Sequence, residues 1–236
     1  MFRLCHAVFL ALLIFALPAH AQQTTGNYTV RALGVKVGDM VINGSVSASA
    51  YTVSAQFETS GLVGAVKGVR FLLSATGKRK GAQFYPKQYR EDMNTGERES
   101  RTQLAYSNGI ASATGSQIGD PGPYSVTDAQ QKGAVDPLTG WFMVLRDQRS
   151  DEICNLTQKI FDGERLTQIQ LGNPRSEGSV VVCSGAFQRI GGYAPDDLRS
   201  GKSFGLTVTY EATGDVMRLT KVRAETIYGP ATIVRR

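Results

Sequence analysis

Residues 51–57 read Tyr-Thr-Val-Ser-Ala-Gln-Phe, apolar and polar side chains in strict alternation. Successive side chains of a strand point to opposite faces. Tyr51, Val53, Ala55 and Phe57 therefore share one face, with polar groups on the other. The pattern recurs at Tyr28, Val30 and Ala32 and again at Leu206, Val208 and Tyr210. Such alternation supports half-buried antiparallel strands. Turn signals stand between these stretches: Asn43-Gly44, Thr76-Gly77, Asn94-Thr95-Gly96, Asn108-Gly109, Asp162-Gly163 and Thr213-Gly214-Asp215. Asn and Gly tolerate positive φ, so several of these suit tight hairpins. The spacing predicts roughly ten to twelve strands in a meander. The 26 glycines suit a strongly curved sheet.

One segment departs from the period of two. Asp136 can cap a helix with Pro137 at its first position. Leu138, Trp141, Phe142 and Leu145 then fall on one helical stripe. The spacing predicts a helix from Asp136 to about Asp147, with Thr139, Arg146 and Asp147 away from the apolar centre. Gly140 weakens the intrinsic propensity, so packing must supply the stability. Gly115–Gly133, rich in Gly, Pro, Ser and Gln, reads as an exposed loop. The fold class expected is mainly β: a strongly curved antiparallel sheet, half-barrel or barrel-like, with one helix packed on its concave face.

The chain starts Met-Phe-Arg, runs apolar from Ala7 to Leu17, and reaches Ala19 and Ala21. A basic start, an apolar stretch and small-x-small form a secretory signal peptide over residues 1–21, cut after Ala21. The stretch is shorter than the ~20 residues of a membrane span, which weighs against the alternative of an uncleaved anchor. The expectation is an exported, periplasmic protein with one β-rich domain over residues 22–236 and no transmembrane segment after cleavage. Removal of residues 1–21 also removes His6, His20 and Cys5. Cys154 and Cys183 remain, and two cysteines in an oxidising compartment pair. The alternative, two free thiols with one reactive, finds no histidine to serve as its base.

The missing histidines exclude most catalytic constellations. Gly201-Lys202-Ser203-Phe204-Gly205 matches the nucleophile-elbow spacing, but a strand follows the serine where a helix is required. The same Gly-Lys-Ser has Asp196 where a phosphate loop needs glycine. Asp196-Asp197 and Asp147/Asp151-Glu152 show no calcium-loop pattern, and zinc finds no usual ligand set. No catalytic residue, metal ligand or cofactor is expected. The formal net charge is +6, with Lys78-Arg79-Lys80 clustered at an apparent strand end. No aromatic-interleaved basic stripe accompanies it, so nucleic acid is not an expected partner.

Several short motifs carry a family resemblance. They are Ala32-Leu33-Gly34-Val35-Lys36-Val37-Gly38, Thr59-Ser60-Gly61-Leu62, Val135-Asp136-Pro137-Leu138-Thr139 and Ile160-Phe161-Asp162-Gly163-Glu164-Arg165. Cys183, Phe187 and Ile190-Gly191-Gly192-Tyr193 follow. Their order resembles the exported proteobacterial family designated domain of unknown function 3108. The resemblance implies a periplasmic β-rich domain without an assigned activity. Glu164 interrupts the basic pair that family members carry after Asp-Gly, which argues against anion binding at this turn.

Two functions fit these readings. The first is a non-enzymatic binding or carrier module for an apolar envelope ligand, a lipid or acyl chain. Trp141, Phe142, Leu145, Phe57 and Phe71 would line its cavity. The second is a structural or assembly factor that meets other envelope proteins through exposed sheet edges.

Overall fold

The computed structural model describes residues 21–236, apart from Gln117. Residues 1–20 of the expected signal peptide lie outside the described part. The first half carries strands β1 (Gln22–Ala32), β2 (Val35–Val46), β3 (Ala50–Thr59), β4 (Arg70–Lys80), β5 (Gln83–Asn94), β6 (Glu99–Ser107) and β7 (Ile110–Gly115). The second half carries β8 (Ala134–Val135), β9 (Leu156–Phe161), β10 (Leu166–Glu177), β11 (Val180–Gly191), β12 (Ser203–Thr213), β13 (Val216–Ala224) and β14 (Ala231–Arg235). Four short helices interrupt them: α1 (Gly61–Val66), α2 (Asp128–Gln131), α3 (Pro137–Leu145) and α4 (Pro195–Leu198).

All strands join one nearly closed, barrel-like sheet of 14 strands, more than the ten to twelve expected. Its order is β7-β6-β5-β4-β3-β2-β1-β14-β13-β12-β11-β10-β9-β8. The first and last strands meet in the middle, where β1 pairs with β14 from Tyr28↔Arg235 to Ala32↔Ala231. Every pairing is antiparallel except the short parallel one of β8 with β9. The free edges are β7 and β8, and the segment after β7 bridges them. The Ala111 amide donates to Gln131 Oε1 at 3.0 Å, Lys159 Nζ donates to the Gln130 carbonyl at 2.8 Å, and Gln158 Nε2 donates to the Gly133 carbonyl at 2.8 Å.

The structure differs from these expectations in several places. Residues 115–133 are not wholly an exposed loop, because α2 lies there and Gln131 is buried. Thr127 and Gln130 form a capping box that starts this helix. Asn43-Gly44 and Thr76-Gly77 are not turns but strand interior, in β2 and β4. A β-carbon on Gly44 would overlap the Phe142 ring, and one on Gly77 would overlap the Tyr85 carbonyl and the Tyr51 ring. Glycine serves close approach there, not positive φ. Asn108-Gly109 is a true hairpin turn, with φ of 52° and 78°.

Helix α3 is the hub of the core. Asp136 precedes it with extended backbone, and its Oδ1 accepts from the Thr139 amide at 2.8 Å. The helix is not an amphipathic stripe. Leu138, Phe142 and Leu145 are buried, but so are Thr139, Gly140, Met143 and Val144, while Trp141 is only half-buried. The expectation that Thr139, Arg146 and Asp147 avoid the apolar centre fails, because each is buried and meets a polar or charged partner there. Thr139 Oγ1 donates to Asp136 Oδ2 at 2.6 Å. Arg146 pairs with Glu152 at 2.9 Å and Asp147 with Arg235 at 2.8 Å.

Three tyrosines from three strands hold α3. Tyr51 of β3 shares a 2.7 Å hydrogen bond with Thr139 Oγ1. Tyr210 of β12 donates to the Val144 carbonyl at 2.8 Å, and Tyr28 of β1 donates to the Leu145 carbonyl at 3.4 Å. The last carbonyls of a helix lack intrahelical partners, and these two hydroxyls supply them. Cys154 and Cys183 form a disulfide with 5.1 Å between Cα atoms. Cys183 lies in β11, whereas Cys154 sits at a left-handed turn position before β9, with φ 55°.

Candidate functional site

Strands β5 and β6 do not stay together along their length. Their pairing runs from Asn94↔Glu99 to Gln88↔Ala105 and stops. Below that point β5 continues against β4 to Lys80↔Gln83, and β6 continues against β7 to Ser107↔Ile110. Residues 83–87 therefore have no partner on the β6 side. The sequence supplies the cause. Pro86 has no amide hydrogen to donate, and the β4–β5 register shifts between Thr76 and Gly77, bending the strand.

The parting leaves a lateral slot of about 660 Å³. Phe84, Tyr85, Pro86 and Lys87 form one wall, Tyr106, Asn108 and Gly109 the other, and Lys132 to Ala134 the back. It adjoins a shallower groove, sharing Lys78, Tyr85 and Lys87 with it. Apolar surface dominates, and the volume falls in the range of small-molecule sites, about 300–1,000 Å³.

Phe84 links the slot to the core. Its ring stands edge-on to Tyr51 at 4.9 Å and to Phe142 at 6.5 Å. The guanidinium groups of Arg79 and Arg146 lie 6.0 Å and 5.7 Å from its centroid. Both arginines share Glu152, at 3.3 Å and 2.9 Å. Burial pulls the Arg146 guanidinium below its ordinary range, and Glu152 opposes that shift.

A polar cluster lies behind the other wall. The Tyr106 hydroxyl is buried without a hydrogen-bond partner, within electrostatic reach of Asp136 and Tyr51. Asp136 is fully buried, and burial raises its carboxyl to about 6 against the lowering effect of the Thr139 hydrogen bonds. The phenols of Tyr51 and Tyr106 are pushed above their ordinary range, chiefly by burial.

The five side chains expected to line one cavity occupy three places. Phe142 and Leu145 are core residues of α3, and Phe142 reaches the slot only through Phe84. Trp141 stacks on Phe187 of β11 at 6.2 Å. Phe57 and Phe71 face each other across β3 and β4 at 5.6 Å, near the opposite end of those strands from the slot. The slot residues Phe84, Tyr85, Pro86 and Tyr106 were not singled out from sequence. Pro86 within an otherwise strand-like run was the available signal.

The turn carrying Asp162-Gly163-Glu164-Arg165 is structural. Asp162 Oδ1 accepts from the Glu164 and Arg165 amides at 2.9 Å and 2.7 Å. Glu164 accepts from the Gly119 amide at 3.2 Å, tying this turn to the segment that bridges the sheet edges. Among the described residues, no group of His, Cys, Asp and Glu could hold a metal ion, and no helix is long and apolar enough to cross a membrane.

No curated protein matches the chain. A similar solved structure is the crystal structure of a beta-barrel-like protein of domain of unknown function DUF1849 from Brucella abortus. It is 13% identical, with a TM-score of 0.51, and the match covers 92% of this chain and 97% of that chain. At this identity the likeness concerns the fold alone. The model of the family described as protein of unknown function (DUF3108) matches residues 27–178, and the chain belongs to that family.

Proposed function

We propose that this protein is a non-enzymatic binding or carrier module of the bacterial cell envelope, exported to the periplasm, and that it takes an apolar ligand through the slot between β5 and β6. The ligand is a lipid or acyl chain. The parting of β5 from β6 carries this reading, because it opens the sheet wall onto a depression in which apolar surface dominates. In this reading α3 packs on the concave face of the curved sheet and, through Phe142, backs the Phe84 ring that lines the slot. Tyr28, Tyr51 and Tyr210 hold it from β1, β3 and β12, so a ligand would meet a preformed surface. Preorganisation lowers the entropic cost of binding.

The edge-addition alternative has less support. The free edge β7 already has its Ala111 amide bonded to Gln131, and residues 118–133 lie over the gap. Native mass spectrometry of protein purified from the periplasm separates the two. A co-purifying lipid supports the carrier reading. A stoichiometric protein partner without lipid contradicts it.

A further inference from the structure

The rim of the slot carries a charge pattern that an apolar site does not need. Lys78, Lys87 and Lys132 line the opening, and Lys80 stands in the adjoining groove. No Asp or Glu lines either depression. All four lysines are exposed, and among the described residues none of them meets a carboxylate. The salt bridges nearby, to Glu152, use Arg79 and Arg146 instead. Gathered like charges repel, and a counter-charge removes that cost. Just inside the rim lie the rings of Phe84 and Tyr106 and the small side chain of Ala134. Charge outside and apolar surface inside, in one opening, match an amphiphile with a negative head.

We propose that the slot takes a single anionic lipid molecule. Its chain lies against Phe84 and Tyr106, and its phosphate headgroup sits among Lys78, Lys87 and Lys132. This rests on the slot being an apolar-ligand site and adds the charge of the headgroup. Ammonium groups act here as point charges, so the selection is for negative charge and not for one headgroup shape.

The test uses the exported full chain and three probes by calorimetric titration: myristoyl lysophosphatidylglycerol, myristoyl lysophosphatidylcholine, and glycerol 3-phosphate without a chain. The anionic lipid should bind about tenfold or more tighter than its zwitterionic counterpart. The triple variant Lys78→Gln/Lys87→Gln/Lys132→Gln should erase that difference, weakening the anionic lipid more than the zwitterionic one. The matching triple Lys→Arg variant should retain the preference, and circular dichroism reports whether each variant folds. Raised salt should narrow the preference in the native chain. Equal binding of both lipids, untouched by the triple Gln variant, overturns the headgroup assignment and leaves the apolar site standing. Glycerol 3-phosphate binding as tightly as the anionic lipid makes this an anion site without a chain and overturns the proposal. Binding of no probe overturns both this proposal and the slot's reading as an apolar-ligand site.

Discussion

The Phe142 ring fills the space that a side chain at Gly44 would occupy, so the central helix and strand β2 touch ring to backbone. Glycine is the only residue that permits this approach. Gly44→Ala should destabilise the protein by about 1–3 kcal/mol through overpacking. Equilibrium denaturation in urea measures it. An unchanged midpoint would mean that Phe142 moves aside at no cost. The double variant Gly44→Ala/Phe142→Leu should then recover part of the loss, because the two positions are coupled.

Asp136 makes stability depend on pH. Its folded carboxyl titrates at about 6, above the ordinary 3.8. A raised folded value means the native state binds the extra proton between those two points. The favourable contribution is complete below about pH 4 and is lost as pH rises through about 6. The loss amounts to roughly 3 kcal/mol from the size of the shift. Asp136→Asn keeps an oxygen for the Thr139 amide and removes the titration. The variant should match or exceed the native chain's stability at pH 7.5 and lose the decline between pH 4 and 6. Parallel denaturation series across that range decide it; identical pH profiles for the two proteins would refute the assignment.

The disulfide and the buried arginine secure the segment after α3. The Cys154–Cys183 bridge closes a separation of 29 residues, for which chain entropy gives roughly 3–4 kcal/mol. Cys183→Ser should cost roughly 2–5 kcal/mol, and thiol labelling of the denatured, unreduced native protein should find no free cysteine. Two labelled thiols per chain would contradict the bridge.

Arg146 is almost wholly buried, and Glu152 is the carboxylate it pairs with. Glu152→Gln leaves two guanidinium groups close together without a counter-charge. It should cost about 3–5 kcal/mol, more than the Asp151→Asn change beside it, whose partner Arg149 is exposed. Melting temperatures of the two variants test the ordering; equal losses would contradict it.

The alternation that placed Tyr28, Tyr51 and Tyr210 on strand faces was visible in the sequence because a period of two is local. That all three hydroxyls converge on one helix was not visible, since the residues are brought together only by pairing across the sheet. The capped start of α3 at Asp136-Pro137 was legible for the same local reason. Its all-round burial was not. Thr139, Arg146 and Asp147 look solvent-facing until their partners arrive, Tyr51 and Arg235 from distant strands and Glu152 from the turn after the helix. Asn43-Gly44 and Thr76-Gly77 carried the composition of turns and the function of gaps. The Thr127–Gln130 capping box was present in the sequence and outweighed by the Gly, Pro and Ser around it. The slot depends on where β5–β6 pairing ends, and only Pro86 hinted at that.

The slot's occupancy in the cell is the most direct test of the account. Tyr85 lines both the slot and the adjoining groove and is 47% exposed, whereas Gln103 of β6 is exposed and lines neither. A photoreactive benzoylphenylalanine placed at either position, irradiated in living cells, traps whatever lies against it. Intact-mass analysis of the purified chain then reads the adduct. A lipid-mass adduct is expected at position 85 and none at position 103. Equal adducts at both positions, or a protein adduct at 85 with no lipid, would contradict it.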